Sequence, residues 1–170
     1  MSDEDTTYNS KPLDELLKVM KSKSLTAKIG ILGQKDSRTT TEKNGTTSNA
    51  TIGAAHEFGT SKLPQRSFLR MPIAEMLPKK LEEAGALDEN VLKQIIKNGF
   101  KNYVEKLAIL GVSCVIEAFQ TEGYGTWKDL EDNYKNWKKS YAKKGNTSAV
   151  QILTLTGQLR DSISYEITKS

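Results

Sequence analysis

VLKQIIKNGFKNYVEKLAILGVSCVIEAF, from Val91 to Phe119, is the stretch on which the fold turns. Leu92, Ile96, Phe100, Tyr103, Leu107, Leu110, Cys114 and Ala118 recur at steps of three and four. A second row adds Val91, Ile95, Val104, Ala108, Gly111, Val115 and Phe119. Such steps line up on one side of a 3.6-residue helix, and two adjacent rows make an apolar arc too wide for a single partner. The spacing therefore predicts one long central helix, lying across a sheet or between two partners. Gly99 and Gly111 interrupt it. Each costs about 1 kcal/mol relative to alanine in a helix, and marks either close packing or simple tolerance. Cys114 reads as a small core residue rather than a nucleophile.

Outward from that helix, Thr26 to Leu32 (TAKIGIL) alternates around Ala27, Ile29 and Ile31, and Ile163, Tyr165 and Ile167 alternate with Ser164, Glu166 and Thr168. Period-two alternation predicts two strands. The order strand, helices, strand gives an α+β fold, a small antiparallel sheet with helices packed on one face. A single domain over 1–170 is expected, with a flexible N-terminus at 1–10 and a short helix from Pro12 carrying Leu13, Leu16, Leu17 and Met20. Residues 34–49, polar and threonine-rich with Asn44-Gly45 inside, read as a mobile loop or a hairpin tip. Ala50 to Phe58 ends at Gly59, a natural helix stop. Ser67 can cap a helix from near Phe68 to about Ala84, kinked at Pro78, and Asp88 can cap the long helix. After a turn at Gln120 to Gly125, the spacing of Trp127, Tyr134, Trp137 and Tyr141 predicts one buried face of a short helix. Lys144 to Ala149 is a loop, and Thr156 is a cap for Gln158 to Ser162.

Composition narrows the chemistry. The 170 residues hold 25 Lys and Arg, 21 Asp and Glu, one Cys and one His, a net charge of +4. No apolar run approaches the roughly 20 residues of a membrane span. The acidic start MSDEDTTYNS lacks a secretory pattern, and a lone cysteine suits a reducing compartment. His56-Glu57 begins like a zinc-protease helix, but the second histidine belongs at 60, where Thr60 stands. One Cys and one His cannot build a structural zinc site, so no metal, cofactor or catalytic residue is expected. The densest basic run, Lys135, Lys138, Lys139, Lys143 and Lys144, follows Asp129, Glu131 and Asp132 closely. It reads as a solvated face, with a DNA-binding module over Lys135–Lys144 as the alternative function.

Two segments carry a resemblance. IGAAHEFGTSKLPQRSFLRMPI (Ile52 to Ile73) is the first; GYGTWKDL (Gly123 to Leu130) with ILTLTGQLRDSISYEI (Ile152 to Ile167) is the second. In this order they resemble the virion morphogenesis and tail-completion proteins of tailed bacteriophages, the Mu-like group among them. The resemblance implies a structural virion protein, not an enzyme, that completes the tail or joins head to tail at the neck. It implies a homo-oligomeric ring, a hexamer by preference, around the DNA channel. Neck, connector or tail-tube proteins would be its partners, and DNA would pass without specific binding. No membrane is involved; the location is the virion, and the host cytoplasm during assembly. The motif residues are His56, Glu57, Phe58, Gly59, Arg66, Phe68, Leu69, Arg70, Trp127, Thr156, Gly157, Leu159, Arg160, Ser162 and Ile163.

Each motif residue has a physical reading. Phe58 and Phe68 are apolar anchors, each contributing about 1.5–3 kcal/mol when fully buried. Gly59 takes positive φ at a helix end. Glu57 is either held in a guanidinium fork by Arg66 and Arg70 or independently solvated. His56 is packed or hydrogen-bonded rather than a ligand. Thr156 and Gly157 turn the chain, Leu159 and Ile163 pack inward, and Arg160 and Asp161 face a neighbouring subunit.

Overall fold

A computed structural model describes residues 25–37, 47–86, 90–142 and 151–169, with Asp14 and Lys18. Strand β1 (Leu25–Ile31) pairs antiparallel with β2 (Ile163–Lys169), Ile31 opposite Ile163 and Leu25 opposite Lys169. Between them in the chain come α1 (Asn49–Phe58) and α2, a π-helical turn at Pro72–Met76 running into an α-helix at Leu77–Glu83. Then follow α3 (Asn90–Asn98), α4 (Phe100–Gln120), α5 (Asp132–Ala142) and the short α6 (Gln158–Asp161). The architecture is α+β, with the long α4 packed against both strands and against α2.

Helix α4 is central because its small residues let the sheet approach. Val104, Ala108, Gly111, Cys114, Val115, Ala118 and Phe119 are buried along one stripe. A Cβ on Gly111 would overlap Ile29 Cδ1 of β1, so that glycine marks close packing. Phe68, Val115, Phe119, Leu159 and Ile163 form the core, with Ile29, Ile31, Ile73 and Trp127 packed around it. Phe68 and Phe119 meet at 5.1 Å between ring centroids, and Trp127 stands edge-on to Phe119 at 6.0 Å.

The expected single helix over 91–119 is two. Gly99 (φ 86°, ψ 148°) ends α3 and starts α4, a backbone shape that side-chain-bearing residues avoid. The break resets the helical phase, which leaves Ile96 53% exposed although its spacing placed it in the core row. Helical backbone starts at Arg70, just ahead of the Pro72 turn of α2 and two residues past Phe68, close to the expected start. Its irregularity sits just ahead of Pro78, where Leu77 N–H reaches back five residues to the Pro72 carbonyl. Proline lacks the donor and crowds the preceding turn, so the wider π turn takes up the misfit.

The four aromatics do not form one buried face. Trp127 precedes α5, while Tyr134 and Trp137 on α5 are 44% and 48% exposed and stack on each other at 5.5 Å. Polar segment 34–49 is tied at its two ends. Gly33–Asp36 makes a 3-10 turn, Asn49 Nδ2 donates to the Lys35 and Ser37 carbonyls, and Asp36 Oδ1 accepts from Ala50 N–H. The flexible start at 1–10, most of the Pro12 helix, the middle of segment 34–49, the Asp88 cap and the Lys144–Ala149 loop lie outside the described residues.

Candidate functional site

Glu57, one residue from the end of α1, points inward and is 4% exposed. Its carboxylate accepts from Ser67 Oγ (2.5 Å), from Phe68, Leu69 and Arg70 N–H (2.9, 2.9 and 3.1 Å) and from Arg70 Nε (3.0 Å). A helix start leaves N–H groups without intrahelical partners, and here a side chain distant in sequence collects three of them. Burial pushes the Glu57 pKa up, but the bonds from Ser67, Leu69 and Arg70 outweigh it and hold the carboxyl below its ordinary value. Ser67 Oγ accepts from Met71 N–H at 3.1 Å, but Ser67 stands ahead of the helix and does not occupy the expected cap position.

The guanidinium fork is only half present. Arg70 joins Glu57, whereas Arg66 turns away and donates through Nε and Nη2 to the Lys128 carbonyl at 3.2 and 3.0 Å. That contact and the Trp127 Nε1 bond to the Ser67 carbonyl (3.4 Å) connect the first signature segment to the second. Phe68 is a core anchor; Phe58 is not. As the last residue of α1 it is 62% exposed, and the Arg70 guanidinium covers its ring at 4.6 Å. Gly59 has φ 74° and ends α1. Leu69 is half-buried, against Gly30 of β1.

In the C-terminal segment, Leu159 and Ile163 are buried and Ser162 Oγ donates to the Leu159 carbonyl at 2.6 Å. Gly157 (φ 77°) sits at the α6 cap position, and Thr156 Oγ1 meets Gln158 N–H only at 3.5 Å. Arg160 and Asp161 pair with each other at 2.9 Å. Cys114 is fully buried, and burial pushes its thiol pKa up, as suits a core residue.

A cavity of about 730 Å³ lies between the Thr60–Arg66 loop, the Lys128–Lys138 stretch and the Leu153–Leu159 segment, with His56 in its wall. No sequence pattern signals it. Lys138, expected on a solvated face, is instead 2% exposed and donates through Nζ to the Gln151 and Thr154 carbonyls. Those acceptors come from a distant segment, so nothing local marked this lysine among its solvated neighbours. Lys135 is tied to Asp129. Among the described residues, no three His, Cys, Asp or Glu side chains gather as metal ligands would, and no helix is long and apolar enough to cross a membrane.

His56 Nδ1 is buried with no hydrogen-bond partner among the described residues. Burial first, then repulsion from Arg66, lowers its pKa from the ordinary 6.5. The fold thus favours neutral imidazole. Its share of stability should be complete above pH 6.5 and fall as pH drops from there through the lower folded value. An NMR titration of this single imidazole should place the midpoint below 6.5, and unfolding midpoints should decline over the same window. A midpoint at or above 6.5 would contradict this picture.

No protein-family model, no curated protein and no solved structure matches the chain.

Proposed function

We propose that the chain is a structural virion protein of a tailed phage, one that completes the tail or joins head to tail at the neck. One observation carries the reading. The two signature segments, separated by the 49 residues between Ile73 and Gly123, bond to each other through Arg66 and the Lys128 carbonyl and through Trp127 and the Ser67 carbonyl. Their polar groups hold shape: Glu57 caps a helix start and Arg66 fixes a loop. A joining part needs a rigid body with surfaces for its neighbours, and no bond-breaking role is proposed for it. A ring is the natural assembly, with head-to-tail contacts between two different patches and a rotation that closes. DNA would slide through without tight binding.

The exposed Tyr134–Trp137 stack beside Lys135 and Lys139 is what favours a nucleic-acid role, since bases stack on such platforms. Against it, Lys138 faces inward and Lys135 is paired with Asp129, which thins the basic stripe. Particles made without this protein should accumulate as unjoined heads and tails, or as tails with faulty ends, seen by electron microscopy. Normal infectious yield would remove the structural reading; duplex affinity falling steeply with salt would put DNA binding in its place.

A further inference from the structure

Two buried cations share the cavity wall with His56. Arg66 is 5% and Lys138 2% exposed, and among the described residues neither makes a salt bridge. Both donate to backbone carbonyls instead. The nearby acids are otherwise engaged. Asp129 holds Lys135 and Leu130 N–H, and Glu122 accepts from Ile152 N–H, so both act on the cations from longer range. Glu131 stands exposed on the rim. Buried charge is costly unless an opposite charge completes it. His56, half-buried in the same wall, lies beside Arg66 and so reports on charge brought near it.

The rim distinguishes the kind of anion. Leu63 and Tyr134 are exposed there, and Leu130 and Leu155 are half-buried. A small inorganic ion would leave that apolar surface wet. An acidic side chain between apolar neighbours would cover both parts, and the volume falls within the roughly 300–1,000 Å³ of ordinary binding pockets. We infer that this cavity docks a partner protein, receiving the carboxylate of an Asp or Glu on an extended segment with apolar flanks. The site does not depend on the virion assignment, and its test reads binding rather than particle formation.

The full chain, labelled with nitrogen-15, is titrated with a blocked peptide carrying Glu between leucines, with the same peptide carrying Gln, and with inorganic phosphate. His56, the chain's only histidine, reports. The Glu peptide should shift the imidazole resonances saturably and raise the His56 pKa, because an anion beside Arg66 cancels its repulsion. The Gln peptide should bind about tenfold more weakly or worse, as expected for losing charge-assisted bonds. Phosphate should also bind more weakly. Lys138→Met should weaken the Glu peptide similarly, with near-UV circular dichroism confirming the fold, while Lys139→Met should not. If Lys138→Met fails to fold, the Glu-against-Gln comparison on the unaltered chain decides. Unmoved His56 resonances at millimolar peptide, equal binding of the two peptides, or tighter binding of phosphate would each overturn the proposal.

Discussion

Glu57→Gln should destabilise the chain by about 2–4 kcal/mol, because one or two of the donors that the carboxylate holds lose their acceptor at roughly 1–3 kcal/mol each, while Arg70, more than half exposed, keeps its water. The carboxylate takes five hydrogen bonds, from Ser67 Oγ, three successive N–H groups and Arg70 Nε. An amide offers one acceptor oxygen in place of two and turns an NH2 group toward other donors. Against a total stability of roughly 5–15 kcal/mol, that is a large fraction. Urea unfolding measures it, and a loss below about 1 kcal/mol would mean that the network contributes little beyond ordinary hydrogen bonds. The pH dependence gives a second check. Since folding lowers the Glu57 pKa, its stabilisation is complete above the ordinary value of 4.5 and is lost as pH falls from there through the folded value. The glutamine chain should lack that acid limb.

Gly123→Ala should cost about 2–5 kcal/mol, combining roughly 1–2 kcal/mol for a side chain at positive φ with about 1–3 kcal/mol of overpacking. Glu122, Gly123, Tyr124 and Gly125 run in succession at φ 55°, 71°, 55° and 78°. The turn is pinned by the Tyr124 hydroxyl on the Cys114 carbonyl (2.9 Å) and Thr126 Oγ1 on the Gly123 carbonyl (2.6 Å). It cannot relax to make room. A Cβ on Gly123 would lie inside the Trp127 indole, which is edge-on to Phe119 in the core. Thermal unfolding reads the cost, and changed tryptophan emission should accompany it. Wild-type stability with unaltered emission would mean that the indole is not held there.

Much of this framework could be read from the residues. The alternation at Ile29 and Ile31, and at Ile163 and Ile167, was enough for two strands, because period two is a local signal. Gly59 marks a helix stop by residue type alone. Gly99 shows the limit. A glycine inside an unbroken apolar periodicity looks tolerated, and only the positive φ exposes a break. Around Glu57 the residues leave open a fork with Arg66 and Arg70 or plain solvation, since both arginines stand at plausible spacing; only Arg70 joins it. Choosing between them needed the Lys128 carbonyl, 62 positions on from Arg66. Burial of Lys138 and the cavity beside it depend on segments that meet only after folding. No local pattern encodes them.

The pairing of β1 with β2 also has a consequence for biosynthesis. A ribosome releases Leu25–Ile31 early and Ile163–Lys169 only after everything from Leu32 to Ser162 has emerged. Until then the first strand offers an unsatisfied hydrogen-bonding edge, and α4 waits with its sheet-facing stripe uncovered. Such distant closure slows folding and leaves nascent chains prone to cross-pairing. Premature termination anywhere before Ile163 should therefore yield sticky fragments rather than smaller folded ones.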